Sequence, residues 1–451
     1  MNILIYTLGC PKNFNDSQVA AGILEAAGHT VTLANDDISD KVDFDLDSPE
    51  MAAIDAVMVN TCGFINDAKT ESIEAIFTMS QYGKLLIVSG CLSQRYGEEL
   101  YKEIPEVDLF IGVNEYDRLP ALLEAYEGSR QMHIRPYTKE LESPCRKLAG
   151  VHYAATVKIS EGCNNACTFC AIPGIRGPYR SRPKEKIIAE VRHLAEEGVR
   201  EIILIAQDTT TYGIDLYGRL ALAELLRDLC RIDKIRWIRI MYCYEDRITD
   251  ELIETIAQEK KICKYLDIPI QHISDGILKA MRRRSDGAMI RERLAKIRAG
   301  IPGVHIRTTL IVGFPGETEE DFEELLDFVE EQRFERLGAF MYSPEDGTPA
   351  AQMPGQIDEA VKAERLDAVM RRQVEISLSR NEEKVGRILD VLVEGEDEEE
   401  GCYIGRTGYD APGIDNNVLF SSKRVLHPGE FVKVRITDAF DYDLVGEATE
   451  Q

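Results

Sequence analysis

Apolar residues recur along the chain in a rhythm that changes twice. Over residues 1–145 short apolar runs (Ile3–Leu8, Ala56–Asn60, Leu85–Ser89 and Val107–Ile111) alternate with amphipathic stretches such as Asp16–Ala27 and Asp67–Ser80. Apolar runs spaced by helical patterns predict βαβ units and a parallel sheet. The acidic segment Asp36–Glu50 interrupts the pattern and predicts a surface loop. Six further strands are predicted at Ala154–Ser160, Glu201–Ala206, Trp237–Tyr242, Tyr265–Ile270, His305–Val312 and Leu337–Tyr342. Helical stretches, among them Lys184–Glu197, Ile248–Glu259 and Glu319–Glu330, lie between them. Six βα units predict a partial α/β barrel, with chemistry at the carboxyl ends of its strands. Residues 358–380 read as one long charged helix. The pattern then shortens to Val391–Val393, Cys402–Ile404, Phe431–Ile436 and Tyr442–Val445. These runs, separated by Gly, Pro and Asp, predict a β-barrel of about 70 residues. The run Glu394–Glu400 reads as a solvated acidic loop. The expected division is 1–145, 146–375 and 376–451.

A length of 451 residues fits roughly three domains. With 44% hydrophobic and 29% charged residues, disorder is excluded as the main state. No apolar run approaches the roughly 18 residues of a membrane span. Met1-Asn2-Ile3-Leu4-Ile5-Tyr6 has neither the basic stretch nor the small-residue cleavage site of a secretory signal. A cytoplasmic protein without a membrane partner is therefore expected. The 53 basic and 79 acidic residues give a net charge of −26, which disfavours nucleic acid as a partner. The acidity sits at the flanks: residues 1–145 carry −14, residues 376–451 carry −9, and the middle only −3. A flank that binds a macromolecule suits a basic protein surface better than a phosphate backbone.

Eleven cysteines change the picture further. In a reducing compartment an odd, uneven set points to metal or redox chemistry and not to a disulfide framework. Cys163-Asn164-Asn165-Ala166-Cys167-Thr168-Phe169-Cys170 is a C-x3-C-x2-C motif just past a predicted strand. Three thiolates on one tight loop suit a metal cluster. Four-iron clusters usually take four cysteines, so a set of three leaves one iron open to a ligand. The competing readings are a zinc site and a dithiol pair. Zinc would want a fourth ligand, and within twenty residues only His152, upstream, is available.

Cys10, Cys62 and Cys91 form a second set by position. Each directly follows an apolar run, and Gly9, Gly63 and Gly90 adjoin them. Ligands of open parallel sheets bind beyond the carboxyl ends of the strands, so these three can meet in space. Glycine lets backbones approach closely there. For a single cysteine after a strand, a small buried residue is the better reading. Cys145, Cys230, Cys243, Cys263 and Cys402 have no ligand spacing and are read as structural.

The motif C-x3-C-x-aromatic-C at the first strand of a partial barrel resembles the radical S-adenosylmethionine (SAM) superfamily. The resemblance implies that Cys163, Cys167 and Cys170 carry a catalytic 4Fe–4S cluster beside Phe169, and that SAM chelates its open iron. Reductive cleavage of SAM then gives a 5′-deoxyadenosyl radical that takes a hydrogen from carbon. The protein binds, orients and excludes water.

Both cysteine sets together, with the C-terminal β-barrel, resemble the methylthiotransferases over essentially the whole chain. That family implies an N-terminal domain with an auxiliary 4Fe–4S cluster, a (β/α)6 radical SAM barrel and a substrate-binding TRAM-type barrel. Cys10, Cys62 and Cys91 would hold the auxiliary cluster, giving two clusters in all. One SAM methylates a sulfur there, and a second supplies the radical. The resemblance further implies SAM contacts at Gln207 and Asp208, at Gln271 and His272, and in the segment from Arg307 to Gly313. Arg176, with Arg180 and Arg182, would meet the SAM carboxylate or an acidic substrate side chain.

The family modifies tRNA adenosines or a protein. Thr7-Leu8-Gly9-Cys10-Pro11-Lys12-Asn13 and Asp410-Ala411-Pro412-Gly413-Ile414-Asp415 resemble the branch acting on an aspartate of small-subunit ribosomal protein S twelve. The acidic barrel agrees, since ribosomal proteins are basic and tRNA is a polyanion. The product would be a 3-methylthio-aspartate. The alternative is a tRNA adenosine 2-methylthiotransferase, for which Lys423, Arg424, Lys433 and Arg435 would have to form a basic face. The resemblance also implies an electron donor such as flavodoxin or ferredoxin, a sulfur source, and a monomer. This chain departs from the protein-modifying pattern at Gly413 (usually Glu), Asn416 (usually Gly), Glu245 (usually Pro) and in the Asp36–Glu50 insert.

Overall fold

The computed structural model describes residues 1–35, 48–137, 146–150, 153–397 and 399–449. Most of the acidic insert, together with Cys145 and His152, lies outside them. The chain divides into two compact units. The first comprises Met1–Gly150, Ser160–Asn165 and Cys170–Arg182; the second comprises Val151–Ile159, Ala166–Phe169 and Pro183–Gln451. The segment 376–451 therefore shares a unit with the barrel-like sheet.

The first unit is built on a six-stranded parallel sheet in the order β2-β1-β3-β4-β5-β6. Its strands are β1 (Asn2–Thr7), β2 (Thr30–Leu33), β3 (Ala56–Thr61), β4 (Leu85–Gly90), β5 (Leu109–Ile111) and β6 (Gln131–His133). Alternate residues feed two cores. Ile3, Ile5, Met58 and Ile87 pack on one face with Ala20, Leu24 and Leu119. Leu4, Val57, Val59 and Val88 pack on the other with Ile76, Leu92 and Leu100. Burial on both faces explains why these strands read as continuous apolar runs. Each fully buried aliphatic side chain contributes about 1.5–3 kcal/mol. The two edge strands β2 and β6 were not expected; four and three residues are too short to show a period.

In the second unit, β7 (Ala154–Lys158) starts a six-stranded sheet; β8 (Ser160–Glu161), which precedes the cysteine motif, pairs antiparallel with β9 (Arg180–Ser181) as a separate two-stranded sheet in the first unit. The sheet begun by β7 continues through β10 (Glu201–Ile205), β11 (Trp237–Ile240), β12 (Ile262–Asp267), β13 (His305–Val312) and β14 (Arg336–Met341). All pairs are parallel and in chain order, β14-β13-β12-β11-β10-β7. This is the expected six-stranded partial barrel. The largest shift in its strand bounds is at β12, expected over Tyr265–Ile270. β12 starts at Ile262 and stops at Asp267, because Pro269 has no N–H to extend the ladder.

The helix Glu359–Glu382 leads into a closed barrel of β15 (Ile388–Asp397), β16 (Cys402–Thr407), β17 (Val418–Ser421), β18 (Phe431–Ala439) and β19 (Leu444–Ala448), ordered β15-β16-β17-β19-β18. Asn381 near the helix end donates to the carbonyls of Phe440 and Tyr442 at 3.0 and 2.9 Å, fixing the entry to this barrel. The acidic run is corrected in part. Glu394–Asp397 continues β15, and the Glu394 carboxylate accepts from buried Arg406.

Ion pairs tie this small barrel to the amino-terminal ends of the larger sheet. Glu201, the first residue of β10, sits between the guanidiniums of Arg239 and Arg406. Arg336, the first of β14, meets Asp410 at 2.5 Å. Trp237, the first of β11, stacks edge-on against Phe431 with ring centroids 4.7 Å apart.

Candidate functional site: two sets of cysteines

The first set is assembled where β1, β3 and β4 end. Cys10 is the N-cap of the helix Pro11–Ala26, and Cys91 opens the helix Cys91–Glu103. The positive ends of both helix dipoles favour negative charge at these positions. The helix begins at Pro11, earlier than the predicted Asp16, because proline suits the first helical position. The strand ends approach closely. A Cβ on Gly63 would stand 2.6 Å from Leu92 Cα, and one on Gly9 would stand 2.5 Å from Cys62 Cβ.

Asn13 knits the three ends together. Its Nδ2 donates to the carbonyls of Leu8 and Thr61, both at 3.0 Å. Its Oδ1 accepts from Arg176 Nη2 at 2.6 Å and from Cys91 Sγ at 3.5 Å. Cys62 is fixed through its backbone, whose N–H and C=O both bond Ser72 Oγ at 3.0 Å. Burial pushes the Cys62 thiol up to about 12, and the neighbouring Cys10 and Cys91 push the same way. Burial also raises the Cys91 thiol, against the pull of the Arg176 guanidinium. The three thiols thus act on one another at close range. A metal centre held there would take the thiols as thiolates, and its positive charge would offset theirs.

Arg176 has partners that the sequence did not reveal. The sequence put it on a loop after the motif, where it could meet the SAM carboxylate or an acidic substrate side chain. It is 2% exposed, and its guanidinium is bound to Cys91 Sγ (3.1 and 3.3 Å), Asn13 Oδ1 (2.6 Å), Asp16 Oδ2 (2.6 Å) and Glu161 Oε2 (3.4 Å). The short helix Ile172–Arg176, which follows the C-x3-C-x2-C motif, carries it there. Neither Asn13 nor Arg176 was given this role from sequence. The signal for Asn13 was its place inside the quoted Thr7–Asn13 motif.

The second set is divided between the units: Cys163 and Cys170 belong to the first, Cys167 to the second. In the first, Cys163 N donates to Gly177 O at 3.1 Å, and Cys163 Sγ accepts from Asn165 N at 3.4 Å. In the second, Thr168 beside Cys167 donates from its backbone to Met281 O (3.1 Å) and from its hydroxyl to Ala280 O (2.9 Å). The buried guanidinium of Arg283 hydrogen-bonds Cys167, and also reaches Glu245 Oε2 and Pro269 O, both at 3.1 Å. Glu245, the departure from the usual proline, is thus the counter-ion of Arg283. Arg283 was missed because Arg282-Arg283-Arg284 reads as a solvated basic turn. The ten described cysteines form no disulfide. Among the described residues no three His, Cys, Asp or Glu converge tightly enough to hold a single metal ion.

The remaining candidates lie in the second unit. Phe169 packs edge-on against Phe314 at 6.4 Å. Gln207 and Asp208 follow β10. The Asp208 carboxylate accepts from Thr210 Oγ1 (2.8 Å), Thr211 N (3.1 Å) and Thr211 Oγ1 (2.6 Å), which shapes the turn. Gln271 follows β12 with φ 77°, its N–H and C=O both held by β13 at 2.8 Å. Tyr242, after β11, also has a positive φ, of 60°. Left-handed backbone in such residues costs about 1–2 kcal/mol and marks the carboxyl ends of two adjacent strands.

His272, Arg307 and Gly313 have structural partners. His272 is fully buried; its Nδ1 accepts from Ser274 N at 3.1 Å and its Nε2 lies 3.5 Å from Glu317 Oε2. Arg307 stands third in β13 and joins Asp267 (3.0 Å) to Asp415 (3.4 Å). Gly313, with φ 71°, makes room for Lys362 of the long helix. The segment Asp410–Asp415 docks through both its acids, Asp410 on Arg336 and Asp415 on Arg307 and on Tyr265 OH at 2.7 Å.

Residues 157–329 match the Radical SAM superfamily, residues 385–449 the TRAM domain, and residues 2–112 the uncharacterized protein family UPF0004. Curated relatives named ribosomal protein uS12 methylthiotransferase RimO match nearly end to end. That of Desulforamulus reducens is 49% identical over 99% of both chains. That of Geobacter sulfurreducens is 48% identical over 99% of this chain and 98% of its own. Among solved structures, the radical SAM methyltransferase TsrM from Kitasatospora setae covers 83% of this chain and 89% of its own, with TM-score 0.56 and 12% identity. That likeness concerns the fold alone. Among the described residues no helix is long and apolar enough to cross a membrane.

Proposed function

Because the chain belongs to the family of ribosomal protein uS12 methylthiotransferases, radical SAM enzymes with a TRAM domain, we propose that it methylthiolates the β-carbon of an aspartate in uS12. The observation that carries this reading is the 49% identity over 99% of both chains. The meeting of Cys10, Cys62 and Cys91 around Asn13 and Arg176 supports it.

The donor sets would suit two clusters: neighbouring thiols with a guanidinium on Cys91 in the first set, and the C-x3-C-x2-C thiols, with Arg283 beside Cys167, in the other. Cys163, Cys167 and Cys170 would hold the SAM-binding 4Fe–4S cluster, and Cys10, Cys62 and Cys91 the auxiliary one. When bound, clusters and SAM supply methyl transfer to sulfur, hydrogen abstraction from carbon and delivery of the methylthio group. The chain's part is positional. Asn13 holds the strand ends in register, Phe169 walls the motif, and the turns at Gln207–Asp208 and Gln271 shape the carboxyl edge of the sheet where SAM would lie. His272 and Gly313 support that edge from within, and Arg307 ties β13 to Asp267 and Asp415. Segments 1–145, 146–375 and 376–451 would serve as auxiliary-cluster, radical and substrate-binding parts. A flavodoxin- or ferredoxin-type donor, a sulfur source and a cytoplasmic monomer complete the reading.

The acidic barrel favours a basic protein over tRNA. Two of its four candidate basic residues are neutralised, Arg424 by Glu430 (2.8 Å) and Lys433 by Asp390 (3.1 Å). The division of labour is tested by two variants. Cys163→Ala is expected to abolish SAM cleavage. Cys10→Ala is expected to retain SAM cleavage and to lose thiolation; normal thiolation by it would overturn the assignment of the first set.

A further inference from the structure

The same guanidinium touches a candidate cluster ligand and ties together the walls around it. Arg176 comes from the stretch just after Cys170, yet it is buried in the first unit against Cys91, Asn13, Asp16 and Glu161. Two of its nitrogens point at one sulfur, Nη2 at 3.1 Å and Nε at 3.3 Å. Asn13 extends the contact to the carbonyls that precede Gly9 and Cys62. Asp16 and Glu161 grip the opposite side, so the side chain has one orientation. Net charge and hydrogen bonds to sulfur are the main levers on the potential of an iron–sulfur cluster.

We propose that Arg176 is a positioning residue that sets the reduction potential of the auxiliary cluster, by donating two N–H groups and a fixed positive charge to the Cys91 sulfur. The proposal rests on the assignment of Cys10, Cys62 and Cys91 as that cluster's ligands. A cation and N–H donors at a ligand sulfur stabilise the more negative, reduced cluster. They therefore raise its potential. Lysine keeps the charge but loses the planar two-point contact.

The test uses the full chain carrying Cys163→Ala, Cys167→Ala and Cys170→Ala, so that only the auxiliary cluster can form. Anaerobic reconstitution is followed by a dithionite titration read by electron paramagnetic resonance. With Arg176→Gln added, the midpoint is expected to fall by at least a tenfold change in the reduction equilibrium, about 59 mV for a one-electron couple. Arg176→Lys is expected to fall by less. Midpoints unchanged in both variants overturn the role of Arg176 alone. If the Gln variant holds no cluster, the Lys variant decides: a lower midpoint supports the role and an unchanged one overturns it. A parent that binds no iron would overturn the ligand assignment, and the role of Arg176 with it.

Discussion

Gly9 lies against Cys62 so closely that a Cβ on it would stand 2.5 Å from the Cys62 Cβ and 2.9 Å from its Sγ. The two residues end strands separated by more than fifty positions, and their approach is what brings Cys10 and Cys62 to one place. Gly9 also has φ 97°, a conformation L side chains rarely adopt.

Gly9→Ala should therefore displace Cys62 while leaving the sheet intact. The expected result is loss of roughly half the bound iron, with SAM cleavage retained. Iron content measured beside far-ultraviolet circular dichroism checks it. A full complement of iron in a folded variant would contradict the packing described.

Glu201 is the anion of a buried network, fully enclosed between Arg239 Nε at 2.9 Å and Arg406. Glu201→Gln leaves two buried guanidiniums without their shared carboxylate. Breaking such a pair costs about 3–5 kcal/mol. The loss should appear as a lower urea midpoint for the second unit. Since the network joins the first residue of β10 to β16, the C-terminal barrel should become the more protease-sensitive part.

Arg336 and Lys384 hold the buried Asp410 carboxyl down to about 2, from an ordinary value of 3.8. The sign follows from linkage. A carboxylate depressed in the folded state contributes its stability above the unfolded value and loses it as pH falls through the folded one. The contribution is about 2 kcal/mol, fading between roughly pH 4 and pH 2. The difference in unfolding free energy between parent and Asp410→Asn should shrink across that window. A constant difference would mean that Asp410 does not titrate with folding.

Parallel strands buried on both faces made the two large sheets legible, and β13 falls on its predicted residues His305–Val312. The nearness of Cys10, Cys62 and Cys91 was legible for the same reason, since strand ends in a parallel sheet share one edge. What escaped was set by long-range contacts. Arg176 reads as a loop cation until the fold brings Asp16, 160 positions away, to its guanidinium. The ion pair of Arg307 with Asp415 of the C-terminal barrel, more than a hundred positions away, could not be read from spacing. The Asp410–Asp415 motif was legible only as a likeness to the protein-modifying branch; that its two acids fasten the barrel to the sheet was not.

The central claim is the reaction and its substrate. Reconstituted, reduced enzyme with SAM is incubated anaerobically with uS12, or a peptide of its aspartate loop, and in parallel with unmodified tRNA. Mass spectrometry reads the methylthio increment. The increment is expected on the aspartate and not on the tRNA. A methylthio-adenosine with an unmodified aspartate would contradict it.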